Sequence, residues 1–314
     1  MNWVYVWIGL LAVILKIFFV LFFLAVKKKF IPASNYISAI KVAKRLQSEG
    51  FTSIINLLGE HYASREKVER TFRQYLYLID ALHQARIKGK ISVKPTQLGL
   101  AISKEIYCDI IWRLSRRANN QKIPLEIDME NVKYLAGTLE VFKKIPGEYG
   151  VRQAIQAYLK RSLKDVDEFI SRRSKIRLVK GAYAEGDLNK LETQGQMKIF
   201  AEQFLLHGNE PAIATIKDEE LINDVFEFVN ERGVSKNRFI VQTLYGIGDD
   251  LKNKWRDNGF RVEIYVPVGP WHKVLPYIWR RIKEIIKNSN LTNFLTYLYT
   301  LNIGLCSLTT SKHL

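Results

Sequence analysis

The sequence predicts an α/β protein built as a closed (β/α)8 TIM-type barrel, preceded by an apolar N-terminal helix. Short β-branched apolar runs alternate with longer segments of helical periodicity, and there are eight such runs. The alternating region is also close to the ~250 residues that one barrel of this kind occupies. Regular alternation of strands and helices favours parallel strands joined by crossover helices. An open, doubly wound sheet is the alternative arrangement of the same elements.

The predicted elements follow one another in a regular order, beginning with an amphipathic helix at residues 37–48. Each predicted strand is short and apolar, as expected for parallel strands that are buried on both faces. The strands are residues 53–58, 91–93, 125–127, 153–157, 176–179, 212–215, 239–244 and 262–266. Helical periodicity predicts the connecting helices at residues 65–87, 131–144, 163–172, 194–207, 219–232 and 249–258.

The beginning of the chain forms a separate predicted unit. Residues 3–26 are apolar except for Lys16, and lysines follow at positions 27–29. A run of this length can span a bilayer, which needs about 20 residues, and no basic region precedes it as in a cleaved signal peptide. We therefore expect a membrane anchor over residues 1–29 and a barrel over residues 30–310. Because basic residues beside a span usually stay in the cytoplasm, the lysines at 27–29 predict that the barrel lies on the cytoplasmic side. An apolar helix docked on the barrel is the alternative.

The composition restricts the classes of partner. Lysine and arginine number 48 against 31 acidic residues, for a formal charge of +17, which favours anionic partners such as a membrane lipid surface. The basic residues are spread along the chain without a zinc-finger or RNA-binding motif, so we expect no nucleic-acid partner. Cys108 and Cys306 are too few for a disulfide framework. The five histidines show no metal-ligand spacing, so no metal is expected.

Polar or charged residues end or follow every predicted strand. Active sites of such barrels lie at the C-terminal ends of the strands, so these residues should meet at one mouth. In strand order they are Glu60, Lys94, Asp128, Gln156, Lys180, Thr215, Gln242 and Tyr265. With Arg177, Arg280 and Arg281 added, this mouth would hold five cations against two carboxylates, which suits an anionic ligand.

The segment after the last strand has the most specific pattern. Tyr277, Arg280, Arg281 and Glu284 fall at i, i+3, i+4 and i+7, which places them on one face of a helix. Two adjacent guanidinium groups form a fork that suits a carboxylate. The sequence therefore predicts an enzyme that acts on a small carboxylate.

The fifth strand adds an unusual arginine and a glycine. Arg177 lies within an apolar run and cannot lose its charge, so it must find acceptors. Two roles for Arg177 are equally compatible with the sequence. It could form a structural ion pair with Asp128 or Glu60, or it could contact a ligand directly. Gly181 and Ala182 at the strand end allow the backbone to approach a phosphate closely. No dinucleotide or Walker A glycine motif occurs.

These segments resemble the proline dehydrogenase family, FAD-dependent barrel enzymes that oxidise L-proline to Δ1-pyrroline-5-carboxylate. The resemblance runs in family order over roughly residues 30–300. Its most specific stretches are Arg-Leu-Val-Lys-Gly-Ala-Tyr at 177–183 and Arg-Arg-x-x-Glu at 280–284. The other similar stretches are residues 55–60, 91–94, 127–130, 156–158, 214–215, 242–246 and 265–269.

The resemblance implies a group of basic residues that binds the proline carboxylate. Arg280, Arg281 and Lys94 would contact it, and Tyr265 would lie against the pyrrolidine ring. Glu60 would pair with Arg280 as a gate that excludes water when closed. The implied substrate-binding residues are Glu60, Lys94, Tyr265, Tyr277, Arg280 and Arg281.

The resemblance also implies FAD as cofactor and two catalytic residues, Asp128 and Arg177. Arg177 would lie beside flavin N5, and Asp128 in a charge network with Lys94. Hydride would pass from proline C5 to flavin N5 and the electrons to a quinone, with pyrroline-5-carboxylate dehydrogenase as the neighbour in the pathway. The implied cofactor-binding residues are Met129, Gln156, Arg177, Lys180, Gly181, Ala182, Thr215, Ile216, Gln242 and Glu284.

The chain departs from the family pattern at two places. Ile216, followed by Lys217, stands where the family usually has a histidine that contacts the flavin. The seventh strand lacks a usual acid, since it has the sequence Phe-Ile-Val-Gln at 239–242. Two other functions are therefore open. One is a membrane-tethered degenerate barrel that acts as a binding or scaffold protein, and the other is a lyase that forms a Schiff base through Lys180.

Overall fold

Eight parallel strands form a closed barrel in the order of the sequence in the computed structural model, and the last strand pairs with the first. The structure describes residues 29–183, 185–215 and 218–270, with isolated positions between 7 and 24. This confirms the predicted (β/α)8 barrel and excludes the open sheet. The strands are β1 Thr52–Leu57, β2 Lys90–Val93, β3 Leu125–Ile127, β4 Arg152–Gln156, β5 Lys175–Val179, β6 Ala212–Ala214, β7 Ile240–Leu244 and β8 Val262–Val268.

Helices precede β1 and connect each strand to the next. They begin where a side chain satisfies the free backbone N–H groups of the first turn: Asn35 and Asn189 each form a reciprocal capping box, and Ser103 and Asp218 accept from the backbone. The helices are α1 Tyr36–Ser48, α2 Arg65–Gln84, α3 Lys104–Asn120, α4 Val132–Phe142, α5 Ser162–Ser171, α6 Lys190–His207, α7 Glu219–Glu231 and α8 Asp249–Asp257.

Helix α3 is the one connecting helix that we did not predict. Its signals were present in the sequence, because Ser103 is a favourable N-cap and apolar residues follow at helical spacing. Tyr107, Ile110 and Leu114 form its buried face. The six connecting helices that were predicted are all present, with ends shifted by a few residues.

The interior of this barrel is polar. In barrels of this type the interior is usually filled by bulky branched aliphatic side chains. Here buried charged and amide side chains cross the interior from strand to strand, while the apolar core lies between the sheet and the helices. The polar residues buried in the interior include Lys90, Ser92, Glu126, Asp128, Arg152, Gln242 and Glu263.

The predicted membrane location is wrong, and the anchor predicted over residues 1–29 lies almost entirely outside the described residues. In the part of the chain that the structure describes, no helix combines the length and the apolar character that crossing a bilayer requires. Such a span needs about 20 consecutive apolar residues. Helix α2 has 20 residues but includes Glu66, Arg70 and Arg73. The domain limits at 1–29 and 30–310 stay predictions, because most of residues 1–28 and all of 271–310 lie outside the described ranges.

The segment at residues 29–33 packs against the C-terminal end of the barrel. Ala33 pairs with Val268 at the end of β8, and its carbonyl oxygen accepts from the Gly269 N–H at 3.1 Å. The carbonyl of Lys29 lies directly against Gly246, which has a φ of 78° and follows β7. This contact leaves no space for a Cβ at position 246.

Gly246→Ala should destabilise the protein more than the matched change Gly233→Ala. Both glycines have positive φ, so each alanine costs about 1–2 kcal/mol in backbone strain. A Cβ at 246 would also collide with the Lys29 carbonyl, whereas a Cβ at 233 would meet no atom within 4 Å. Overpacking adds roughly 1–3 kcal/mol. Urea denaturation measures both losses in the free energy of unfolding, and equal losses would contradict the packing of residue 29 on this loop.

Candidate active site

Asp128 is the centre of a buried polar group at the C-terminal mouth of the barrel. Its carboxylate accepts hydrogen bonds from the Tyr265 hydroxyl at 2.6 Å and from Ser92 Oγ at 2.8 Å. It also forms ion pairs with Arg177 Nη1 at 2.8 Å and Lys94 Nζ at 3.1 Å. Asp128 follows β3 directly, and its partners come from or follow β2, β5 and β8. The structure thus brings together four of the predicted site residues and adds Ser92.

The charges of this group stay fixed across the physiological pH range. Burial raises the pKa of Asp128, but Lys94 and Arg177 outweigh that effect and lower it to about 2. Burial lowers the pKa of Lys94, yet Asp128 and Tyr265 beside it raise that pKa well above its usual value. Burial and Asp128 raise the pKa of the Tyr265 phenol. Asp128 is therefore a permanent negative charge, Lys94 a permanent cation and Tyr265 a hydrogen-bond donor.

Arg177 combines a structural ion pair with an unused donor. Its guanidinium carbon lies 4.8 Å from the centre of the Tyr265 ring, a cation–π distance, while Nη1 pairs with Asp128. Its buried Nε has no hydrogen-bond partner among the described residues. The ion pair considered from the sequence is present, and one donor remains for a ligand.

Glu60 lies beside this group. One of its carboxylate oxygens is 3.6 Å from Lys94 Nζ, and both side chains are mostly buried. Glu60 also belongs to a cluster with His61 and Glu130 whose possible metal-ligand atoms lie within 4.8 Å of one another. Both oxygens of Glu130 already accept from the Thr96 N–H and hydroxyl. The carboxylates of this cluster are thus engaged by protein donors.

The loop after β5 is shaped around an aromatic ring. Gly181 has a φ of 121°, and a Cβ at either Gly181 or Gly186 would overlap the Tyr158 ring. Only glycine fits at these positions, so the backbone of the loop lies closer to the ring than any other residue allows. The neighbouring Lys180 and Ala182 are exposed at the barrel mouth.

The predicted flavin residues include buried polar atoms without a protein partner. Gln156 and Gln242 are 2% and 1% exposed, and the side-chain oxygen of each has no partner among the described residues. Together with Arg177 Nε, they offer two acceptors and one donor. The edge of a flavin ring and its ribityl chain present both hydrogen-bond donors and acceptors, so these residues fit that group. Met129 and Thr215 are buried at the ends of β3 and β6.

Several predicted site residues lie outside the described residues, so the structure says nothing of their positions. They are Tyr277, Arg280, Arg281, Glu284 and Ile216.

A set of inward-facing charges one layer deeper in the barrel was not predicted from the sequence. Glu126 lies two positions before Asp128, and Glu263 two positions before Tyr265. Residues two apart in a strand face the same side. A charged residue two positions before a predicted site residue, inside an otherwise apolar strand, was the signal that could have identified Glu126 and Glu263.

Asp128 should make the stability of the protein fall in acid. Its pKa is about 2 in the folded state and about 3.9 in an unfolded chain, so the folded state binds fewer protons. The ionised carboxylate therefore stabilises the fold above about pH 4, and this contribution is lost as the pH falls through 2.

We expect a loss of roughly 2 kcal/mol in the free energy of unfolding between about pH 5 and pH 2. The control is the Asp128→Asn variant, which is compared with the unchanged protein. Other carboxylates also titrate in this range, since the pKa of Glu210 is about 2 as well. They change the stability of both proteins alike. Urea denaturation at several pH values gives the two slopes. Parallel slopes would show that Asp128 does not titrate in this window.

Comparisons with known proteins identify the family of this chain. The family model described as "Proline dehydrogenase" matches residues 39–204 and 207–294. Proline dehydrogenase of Deinococcus radiodurans is 32% identical over 273 residues, which is 83% of this chain and 87% of that protein. Proline dehydrogenase 1 of Bacillus subtilis is 29% identical, over 82% of this chain and 86% of that protein.

A solved structure supports the fold. Proline utilization A (PutA) from Bdellovibrio bacteriovorus, inactivated by N-propargylglycine, superposes with a TM-score of 0.80 at 24% identity, over 85% of this chain. The chain spans about a third of that protein, since the match covers 33% of its length. The family match and the Deinococcus relative confirm the predicted family, and the chain belongs to the proline dehydrogenase family of oxidoreductases.

Proposed function

We propose that this protein oxidises L-proline to Δ1-pyrroline-5-carboxylate, with FAD as hydride acceptor and a quinone as the final electron acceptor. Family membership supports proline oxidation and implies a flavin. The observation on which the proposal rests is the buried group around Asp128, in which one carboxylate orders two cations and a phenol at the barrel mouth. When bound, FAD would accept the hydride from proline C5.

The residues of the chain would bind and orient the substrate. Lys94 stays protonated and can pair with the proline carboxylate, and Tyr265 presents a ring whose hydroxyl is held by Asp128. This fixed geometry limits how the pyrrolidine ring can lie and thereby lowers the entropy cost of reaching the reactive arrangement. Arg280 and Arg281 would complete the carboxylate site, and Glu60 would pair with Arg280 over the bound substrate.

The proposed flavin site lies at the same mouth. Gln156, Gln242 and Arg177 would meet polar atoms of the flavin through their unpartnered side-chain atoms. The backbone of the loop after β5 would approach the diphosphate, with Lys180 as a cation. The proposed set further includes Met129, Gly181, Ala182, Thr215, Ile216 and Glu284.

The acceptor and the pathway neighbour follow from the family resemblance. Among the relatives is "Bifunctional protein PutA" of Salmonella typhimurium, of which this chain matches 24% of the length. A matching region inside a longer bifunctional protein is consistent with a second enzyme that acts next to this one. We place pyrroline-5-carboxylate dehydrogenase in that role.

The two rival functions have less support. A Schiff-base lysine is usually activated by burial in an apolar pocket or by a neighbouring cation, whereas Lys180 is exposed. A degenerate barrel would not need to retain the costly buried charges around Asp128, since a buried ion pair adds little to stability compared with apolar packing.

The first test is the absorbance spectrum of the purified protein, followed by anaerobic addition of L-proline. We expect a flavin spectrum that bleaches with proline and does not bleach with an equal concentration of glycine, which lacks the ring. A flavin that stays oxidised would contradict the substrate. A colourless protein that FAD does not reconstitute would contradict the cofactor and favour the degenerate barrel.

Tyr265→Ser should relax selection against a hydroxylated ring, because loss of the aromatic ring opens space beside the substrate. We expect the kcat/KM ratio of hydroxyproline to proline to rise about tenfold, within the range that one pocket contact controls. Tyr265→Phe is the matched control, since it keeps the ring and removes only the hydroxyl that contacts Asp128. An equal rise in both variants would show that the ring does not line the substrate pocket.

A further inference from the structure

A second charged layer lies inside the barrel, closer to the N-terminal ends of the strands than the Asp128 group. Lys90 Nζ is 2.5 Å from Glu263, and Arg152 Nη1 is 2.5 Å from Glu126. All four residues are at least nine-tenths buried. Two cations balance two carboxylates, so the layer is neutral and each charge has a partner, which is the condition for burying charges.

The side-chain nitrogen of Gln242 is held between the two carboxylates of this layer. Nε2 lies 2.9 and 3.2 Å from the two oxygens of Glu126 and 2.9 Å from Glu263 Oε2. Burial raises the pKa of Glu126, but Arg152 and Lys90 outweigh that effect and keep it below its usual value. Glu126 is therefore ionised and can only accept hydrogen bonds.

This contact determines the orientation of the Gln242 amide. A primary amide nitrogen has two hydrogens, and here one points to each carboxylate. The opposite orientation would place the amide oxygen against two acids and is strongly unfavourable. Both hydrogens are thus used within the protein, and only the oxygen Oε1 remains available.

That oxygen is buried and has no partner among the described residues. A buried acceptor without a donor costs about 1–3 kcal/mol. Gln242 lies in β7, two residues before the strand ends at Leu244. Its side chain faces the barrel interior, which opens at the mouth. A donor that enters from the mouth would remove this cost.

We propose that Glu126 and Glu263 are positioning residues that fix the Gln242 amide so that it offers the bound flavin an acceptor and never a donor. The inference rests on the proposed function, because it takes the flavin as the ligand. The matching groups on the flavin are an N–H of the ring system or a hydroxyl of the ribityl chain. Lys90 and Arg152 serve the same purpose indirectly, because each forms an ion pair with one of the two carboxylates.

Gln242→Met tests the acceptor, and Gln153→Met is its matched control. Gln153 is also fully buried, its nitrogen donates to the carbonyls of Ile127 and Ala154, and its oxygen also has no partner. It neighbours Arg152, which points into the barrel, so Gln153 faces the opposite side of the sheet. Each change therefore removes a buried amide whose oxygen has no partner among the described residues, but only Gln242 faces the interior.

The measurement is the Kd for FAD of the full-length protein stripped of flavin, by quenching of flavin fluorescence, with circular dichroism as the check on folding. We expect a Kd about tenfold higher in Gln242→Met, as for the loss of one hydrogen bond, and less than about a twofold change in Gln153→Met. Equal changes in the two variants, or an unchanged Kd in Gln242→Met, would overturn the proposal.

A charge-conserving exchange tests the positioning role. Gln242→Glu places a third carboxylate against Glu126 and Glu263, and FAD binding should weaken by about a hundredfold or more. Adding Glu126→Gln to that variant restores a donor opposite the new carboxylate and leaves two carboxylates beside Lys90 and Arg152. We expect the exchanged protein to fold and to recover most of the FAD affinity.

The exchange also has a readout that a purely structural layer would not change. An ionised carboxylate would replace a neutral amide oxygen beside the flavin, so the midpoint potential of the bound flavin should fall, as measured by spectroelectrochemistry. A potential equal to that of the unchanged protein would overturn the proposal.

Failure of this inference and failure of the proposed function give different results. If wild-type flavin bleaches with proline while Gln242→Met binds FAD normally, only the inference is wrong. If the wild type binds FAD that proline does not reduce, the proposed function is wrong and the Gln242 comparison still decides the inference. A wild type that binds no FAD would overturn both.

Discussion

A buried carboxylate between two cations holds the mouth of this barrel in its geometry. Asp128 contacts Lys94 and Arg177, which are supplied by different strands, and accepts the Tyr265 hydroxyl as well. In a water-poor interior these contacts are strong, and removing one partner leaves an uncompensated charge at a cost of about 3–5 kcal/mol. The side chains therefore keep their relative positions, which is what a site that orients a small carboxylate requires.

The same principle operates one layer deeper in the barrel. Glu126 faces the interior two positions before Asp128, and its charge also acts on Arg177. Burial lowers the pKa of Arg177, but Asp128 and Glu126 raise it above its usual value. The two layers are thus electrostatically connected through one guanidinium group. A barrel filled with aliphatic side chains would be packed at less cost, but it could not hold the Gln242 amide in one orientation. The polar interior extends the site below the residues that a substrate would contact.

Residues 29–33 also belong to this rim. Ala33 is bonded to the end of β8, the strand that supplies Tyr265, and Leu58 donates its N–H to Val268 at 2.7 Å. Lys29 packs against the turn after β7. The membrane location that we inferred from the apolar composition of residues 3–26 was wrong, since no helix among the described residues is long and apolar enough to cross a bilayer.

The sequence by itself determined the fold class, the order of the strands and the residues at their C-terminal ends, because alternation and strand-end chemistry are local patterns. It also singled out Asp128, Lys94 and Arg177, which the structure brings into contact. Only the tertiary structure decided which groups pair, since Gln242 and Glu126 are 116 positions apart in the chain yet lie in contact. Closure of the barrel brings these strands together, and that contact sets the orientation of the Gln242 amide, which no local pattern encodes.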